Sequence, residues 1–163
     1  MERGLGRRTL ALCRVILGII FLLFGEYKVV TPQFAHGGMQ GWVQGFIDHS
    51  AYPFFKPVLQ NFVMPHAVIL GYFVGVAELM LGFSLVLGMF VGLSSIFGFI
   101  YMGLLALSTG YQADWPLWRY FGANLEHFCP ALLFIIFRAT HAGRTWGIDS
   151  FLARRYSSKK FLF

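Results

Sequence analysis

One short stretch of the chain concentrates side chains able to exchange protons: Arg119, Asn124, Glu126 and His127, followed by Pro130. On a helix, Asn124, His127, Ala131 and Arg138 share one face, and Gly122, Glu126 and Pro130 the adjacent one. Pro130 has no N–H to offer the carbonyl of Glu126, so a kink there leaves a free carbonyl beside a carboxylate and an imidazole. Such a group suits a hydrogen-bonding or proton-carrying ligand. Interhelical hydrogen bonding with Arg119 or Glu26 is the structural alternative.

A second set lies on glycine seams. Gly71, Gly75, Glu78 and Gly82 are spaced by four, three and four, and form one helical stripe. Arg14, Gly18, Gly25 and Lys28 form a comparable stripe earlier in the chain. Small residues let helices approach closely, and a glutamate on such a seam faces protein rather than lipid. The spacing predicts an Arg14–Glu78 pair, which either ties two helices together or shapes a site. Glu26 and Lys28 end the first helix on the side of the Glu126–His127 group and join the candidates.

Other chemistries lack their residues. There is no HExxH motif, no phosphate-binding glycine loop and no nucleophile elbow. His127 is the one histidine well inside an apolar run, with His66 at the edge of another. A bis-histidine haem across these two, or chlorophyll on His127, is therefore a weak reading. Cys13 and Cys129 sit in separate apolar runs without a CxxC motif and read as reduced thiols, so no metal site is expected.

The elements that position these residues follow from composition. Of 163 residues, 57% are hydrophobic and 12% charged. Between positions 9 and 137 only Arg14, Glu26, Lys28, Asp48, Lys56, Glu78, Asp114, Arg119 and Glu126 carry charge. Too few to cover a soluble surface, they exclude a water-soluble enzyme, a disordered tail and a nucleic-acid-binding domain, and leave an integral membrane protein. Apolar runs at 9–30, 67–87, 90–107 and 120–137 have the length of spans. The first resembles a signal peptide at its start but has no small-residue cleavage site, and reads as an uncleaved helix.

Both ends are basic, which places an even number of spans with both termini in the cytoplasm, in a bacterial inner membrane. The segment 31–65 repeats apolar residues at helical spacing (Met39, Trp42, Val43, Phe46, Ile47, then Phe54, Phe55, Val58, Leu59, Phe62, Val63) and is punctuated by Pro53, Pro57 and Pro65. It predicts two short amphipathic helices at the outer interface, capping the bundle or covering a lipid-accessible site. The expected fold is thus an all-α membrane four-helix bundle with interfacial helices between the first two spans. It forms one domain over 1–155 with a basic tail at 156–163. Arg154, Arg155, Lys159 and Lys160 suit anionic lipid headgroups, with a docked cytoplasmic partner as the alternative.

Three stretches bring a family to mind. Arg14-Val-Ile-Leu-Gly18 through Gly25-Glu-Tyr-Lys28 resembles the first helix of the DoxX/DoxD membrane family, and Gly75-Val-Ala-Glu78-Leu-Met-Leu-Gly82 its second. Ala142-Gly-Arg-Thr-Trp-Gly-Ile-Asp149 is similar to the close of the DoxD-type branch, the small subunit of thiosulfate:quinone oxidoreductase. The resemblance spans about residues 9–155. It implies a four-helix membrane bundle with Arg14 and Glu78 in a polar core, and a role beside a second subunit in passing electrons to membrane quinone. The alternative expectation is a non-catalytic accessory subunit of a larger respiratory or photosynthetic complex.

Overall fold

The computed structural model describes residues 2–156, so Lys159 and Lys160 of the tail lie outside the described residues. Helix α1 (Glu2–Val30) begins ahead of the expected start, because Arg7 and Arg8 are good helix formers and continue it. Helix α2 (Met39–Gly45) follows a kink at His36 and Gly37 and runs into a π-helical turn, and α3 (Lys56–Val58) leads through a π-turn and a 3-10 turn into α4 (Ala67–Leu87). Then come α5 (Val91–Ser108), α6 (Leu117–Ala123), α7 (Leu125–Ala139) and α8 (Asp149–Arg155). Gly88 ends α4 with φ of +62°, a conformation that glycine adopts without a Cβ penalty, and the chain turns at once into α5.

Among the described residues, three helices are long and apolar enough to cross a membrane: Gly4–Val30, Lys56–Leu87 and Val91–Ser108. A fourth span results if α6 and α7, bent by 76°, count as one. Their outward faces are apolar, with Leu23, Ile69, Met80 and Leu132 exposed, while Arg14, Glu78 and Asn124 are buried. That inversion of a soluble protein is what hydrocarbon as solvent requires.

The bend corrects the expected break at Pro130. Helix α7 continues through Pro130, and the chain leaves helical geometry instead at Asn124 (φ −108°, ψ 11°). Asparagine side chains compete with the helix ladder for backbone partners. Here Asn124 Nδ2 donates to the Tyr120 carbonyl at 3.1 Å, and Oδ1 accepts from Thr109 Oγ1 at 3.0 Å. Gly110 (φ +73°) lies directly beneath, where an added Cβ would stand 2.3 Å from Asn124 Nδ2.

Helix α1 packs along α4, and α5 along α7. The glycine stripes make the first contact close: added Cβ atoms on Gly18, Gly25, Gly75 and Gly82 would meet the facing helix at 2.7–2.9 Å. Gly71 serves the loop instead, meeting Ala35. Leu17, Phe21, Leu81, Leu85, Val91, Met102, Phe134 and Phe137 fill the common core. A second cluster of Val43, Ile47, Ala51 and Leu59 packs the 31–65 segment on itself, leaving Trp42, Phe54, Val58 and Phe62 exposed.

Candidate functional site

The glycine register decides which charged groups meet. Gly25 sits on Gly75 and Leu79, Gly82 on Leu22, and Gly18 on Leu85 and Val86. Arg14, one turn before Gly18, therefore falls beside Gly88, ten residues and about 15 Å along α4 from Glu78. The expected Arg14–Glu78 pair does not form. Glu78 is met instead by Lys28, whose ammonium forms an ion pair with Oε1.

Tyr101 of α5 completes this group by donating its hydroxyl to the same Oε1 at 2.5 Å. Nothing in the charge count pointed to it; a phenol in the middle of an apolar helix was the available signal, since such hydroxyls seek a partner when buried. Glu78 Oε2 is buried and has no protein hydrogen-bond partner. Around the ammonium, the rings of Phe24 and Phe34 stand 5.9 and 5.4 Å away, so cation–π attraction adds to the ion pair. Phe34 belongs to the turn after α1, which thereby covers one side of the group.

The other sequence candidates separate. Asn124 is buried and holds the helix break. Glu126 is 75% exposed in its side chain, and its Oε1 is 4.0 Å from His127 Nε2. His127 is largely buried, and its Nε2 has no hydrogen-bond partner. Arg119 is exposed and stacks over Trp115 and Trp118, 5.9 and 5.4 Å from their ring centroids. Glu26 is exposed on α1. His66 immediately precedes α4 and places Nδ1 2.8 Å from the Phe62 carbonyl. Among the described residues no three His, Cys, Asp or Glu side chains converge as metal ligands.

Lys28, Glu78 and Tyr101 come from three different helices and lie within residues 9–111, the stretch matched by the DoxX family model. The chain belongs to the DoxX family. No curated protein and no solved structure matches it. The DoxX match covers α1 from residue 9 onward and all of α2 to α5, and so contains both partners of the ion pair; α6, α7 and the Ala142–Asp149 segment follow it.

Two clefts open at the loop end of the bundle. One of about 430 Å³ is lined by Gly37, Gly38, Gly41, Trp42, Gly45, Phe46 and Ser50. The other, of about 280 Å³, is lined by Tyr52, Tyr111, Leu117, Tyr120, Phe121 and Phe128. Burial, reinforced by Tyr120 and Tyr111, raises the Tyr52 phenol above the ordinary tyrosine range.

Proposed function

We propose that this DoxX-family protein is an integral membrane subunit of a quinone-linked redox complex, with Lys28, Glu78 and Tyr101 as its ligand-binding group. One observation carries the reading: a buried carboxylate whose Oε1 takes two donors while Oε2 has none. A buried acceptor without a donor is costly, and a hydroxyl of the reduced ligand, a quinol, would satisfy it. Quinone, when bound, supplies two-electron, two-proton chemistry in the membrane. The chain's own part is to accept a ligand hydroxyl at Glu78 Oε2 and to hold protons at Lys28 Nζ and Tyr101 Oη. Apolar, aromatic helices around the group exclude water.

The resemblance to the DoxD-type small subunit of thiosulfate:quinone oxidoreductase supports a place beside a larger redox partner. The basic ends support cytoplasmic termini and four spans, with α6 and α7 as a broken fourth. The test is solvent extraction of the purified protein and quinone reduction by the intact complex. Bound quinone, and loss of reduction in Glu78→Gln, are expected. Absence of quinone together with full activity in Glu78→Gln would end the proposal.

A second reading, a non-catalytic accessory subunit, is favoured by the position of the clefts, neither of which is lined by Lys28, Glu78 or Tyr101. Purification in mild detergent separates the two: a free monomer with no co-purifying subunit argues against the accessory role.

A further inference from the structure

The end of the bundle where α1 begins and α7 finishes carries a second buried polar group. Arg14 is 0% exposed. Its Nη2 donates to the Thr145 and Trp146 carbonyls at 3.3 Å each, long bonds that engage one nitrogen. Nε and Nη1 of Arg14 are buried without a partner, and so is Nε of Arg144.

The nearest carboxylate, Asp149, is committed elsewhere. It accepts from the Phe90 N–H at 2.7 Å and the Val91 N–H at 3.0 Å, capping the start of α5. Burial pushes the Asp149 carboxyl above its usual range, against the pull of those N–H groups, Arg14 and Arg144. Both arginines feel this carboxylate, yet neither forms an ion pair with it. Two guanidinium groups against one carboxylate leave net positive charge and three buried donor nitrogens to satisfy.

The backbone around them is shaped for close approach. An added Cβ would stand 1.9 Å from Arg14 Nη1 at Gly88, 2.1 Å from Asp149 Oδ2 at Gly143, and 2.2 Å from the Gly143 carbonyl at Gly147. Trp146 holds φ of +54°, a left-handed conformation uncommon for a bulky residue. The segment also presents exposed Trp146, Ile148 and Phe151 beside exposed Arg154 and Arg155. Apolar and basic side chains together at one level suit the headgroup boundary of a bilayer.

Several oxygens on one anion match divergent guanidinium donors better than a monatomic ion. We propose that Arg14 and Arg144 form a binding site for a phosphate group at this end of the bundle, supplied by a phospholipid or a free phosphate ion. The site is independent of the quinone reading.

The experiment uses the full chain in an uncharged detergent. Phosphatidylglycerol is titrated and followed by native mass spectrometry, and inorganic phosphate by thermal unfolding. The wild type and an Arg154→Gln/Arg155→Gln variant should retain one phosphatidylglycerol, with affinity falling about tenfold or more in Arg144→Gln. Arg144 is partly exposed, so this variant keeps the test open should Arg14→Gln not fold. Stabilisation by inorganic phosphate, lost in Arg144→Gln, would assign the same site to the free ion; its absence alongside lipid retention assigns it to lipid. Binding of neither, or binding unchanged in Arg144→Gln, overturns the proposal.

Discussion

Lys28 on α1 and Glu78 on α4 form an ion pair within the part of the chain that holds the fewest charges, and the same carboxylate oxygen also accepts from Tyr101. The pair joins two helices that otherwise meet through glycine seams. Removing one member leaves the other buried and uncompensated, which typically costs about 3–5 kcal/mol. Lys28→Met and Glu78→Met should each destabilise the protein by that order. The double variant should lose clearly less than the sum, because the unpaired charge is gone. Unfolding in mixed micelles checks this, and strict additivity would contradict the pairing.

Tyr101→Phe isolates the third member. It removes the hydroxyl and leaves the ring, so no cavity opens. A hydrogen bond to a charged group contributes about 1.5–3 kcal/mol. The expected loss lies in that range in the wild type and falls well below it in the Glu78→Met background. An equal loss in both backgrounds would mean that the phenol acts elsewhere.

Glycines in α5 provide an internal contrast. An added Cβ at Gly98 would stand 2.2 Å from the Phe134 ring, whereas at Gly103 it would meet nothing within 4 Å. Phe134 is fully enclosed and has little freedom to move. Gly98→Ala should therefore destabilise by about 1–3 kcal/mol through overpacking. Gly103→Ala should be neutral or stabilising by up to about 1 kcal/mol, since alanine is the better helix former. Thermal unfolding of both in one detergent is the check.

Much of this arrangement is legible in the sequence. The run 90–107 coincides with α5 almost residue for residue, and the run 67–87 ends with α4 at the Gly88 turn, but the apolar helix that contains it begins at Lys56, inside the segment expected to lie at the interface. Gly18, Gly25, Gly75 and Gly82 lie on the α1–α4 seam as their spacing implies, while Gly71 faces the loop. Partner choice was not legible. Arg14, Lys28 and Glu78 all sit on stripes, and only the register fixed by Gly25 against Leu79 gives Glu78 to Lys28. Asp149 was hidden among the basic residues of the chain's end, since nothing in its neighbourhood announces that it caps a helix fifty-eight residues earlier. Pro130 attracted the expected break, but one missing N–H in α7 mattered less than the polar side chain of Asn124.

That side chain yields the last prediction. Asn124 binds the Tyr120 carbonyl behind it and Thr109 across from it, and both bonds hold the chain in its 76° bend. Leucine at this position can make neither bond and favours continued helix. Asn124→Leu should lower stability by about 1–3 kcal/mol, since the bonds to Tyr120 and Thr109 are lost, Thr109 keeping only the Leu105 carbonyl, and a buried contact is exchanged for an ill-fitting one. It should also straighten the join between α6 and α7. Spin labels at the exposed positions Trp118 and Leu132 would report an increased separation. An unchanged distance would show that the surrounding packing, and not Asn124, holds the break.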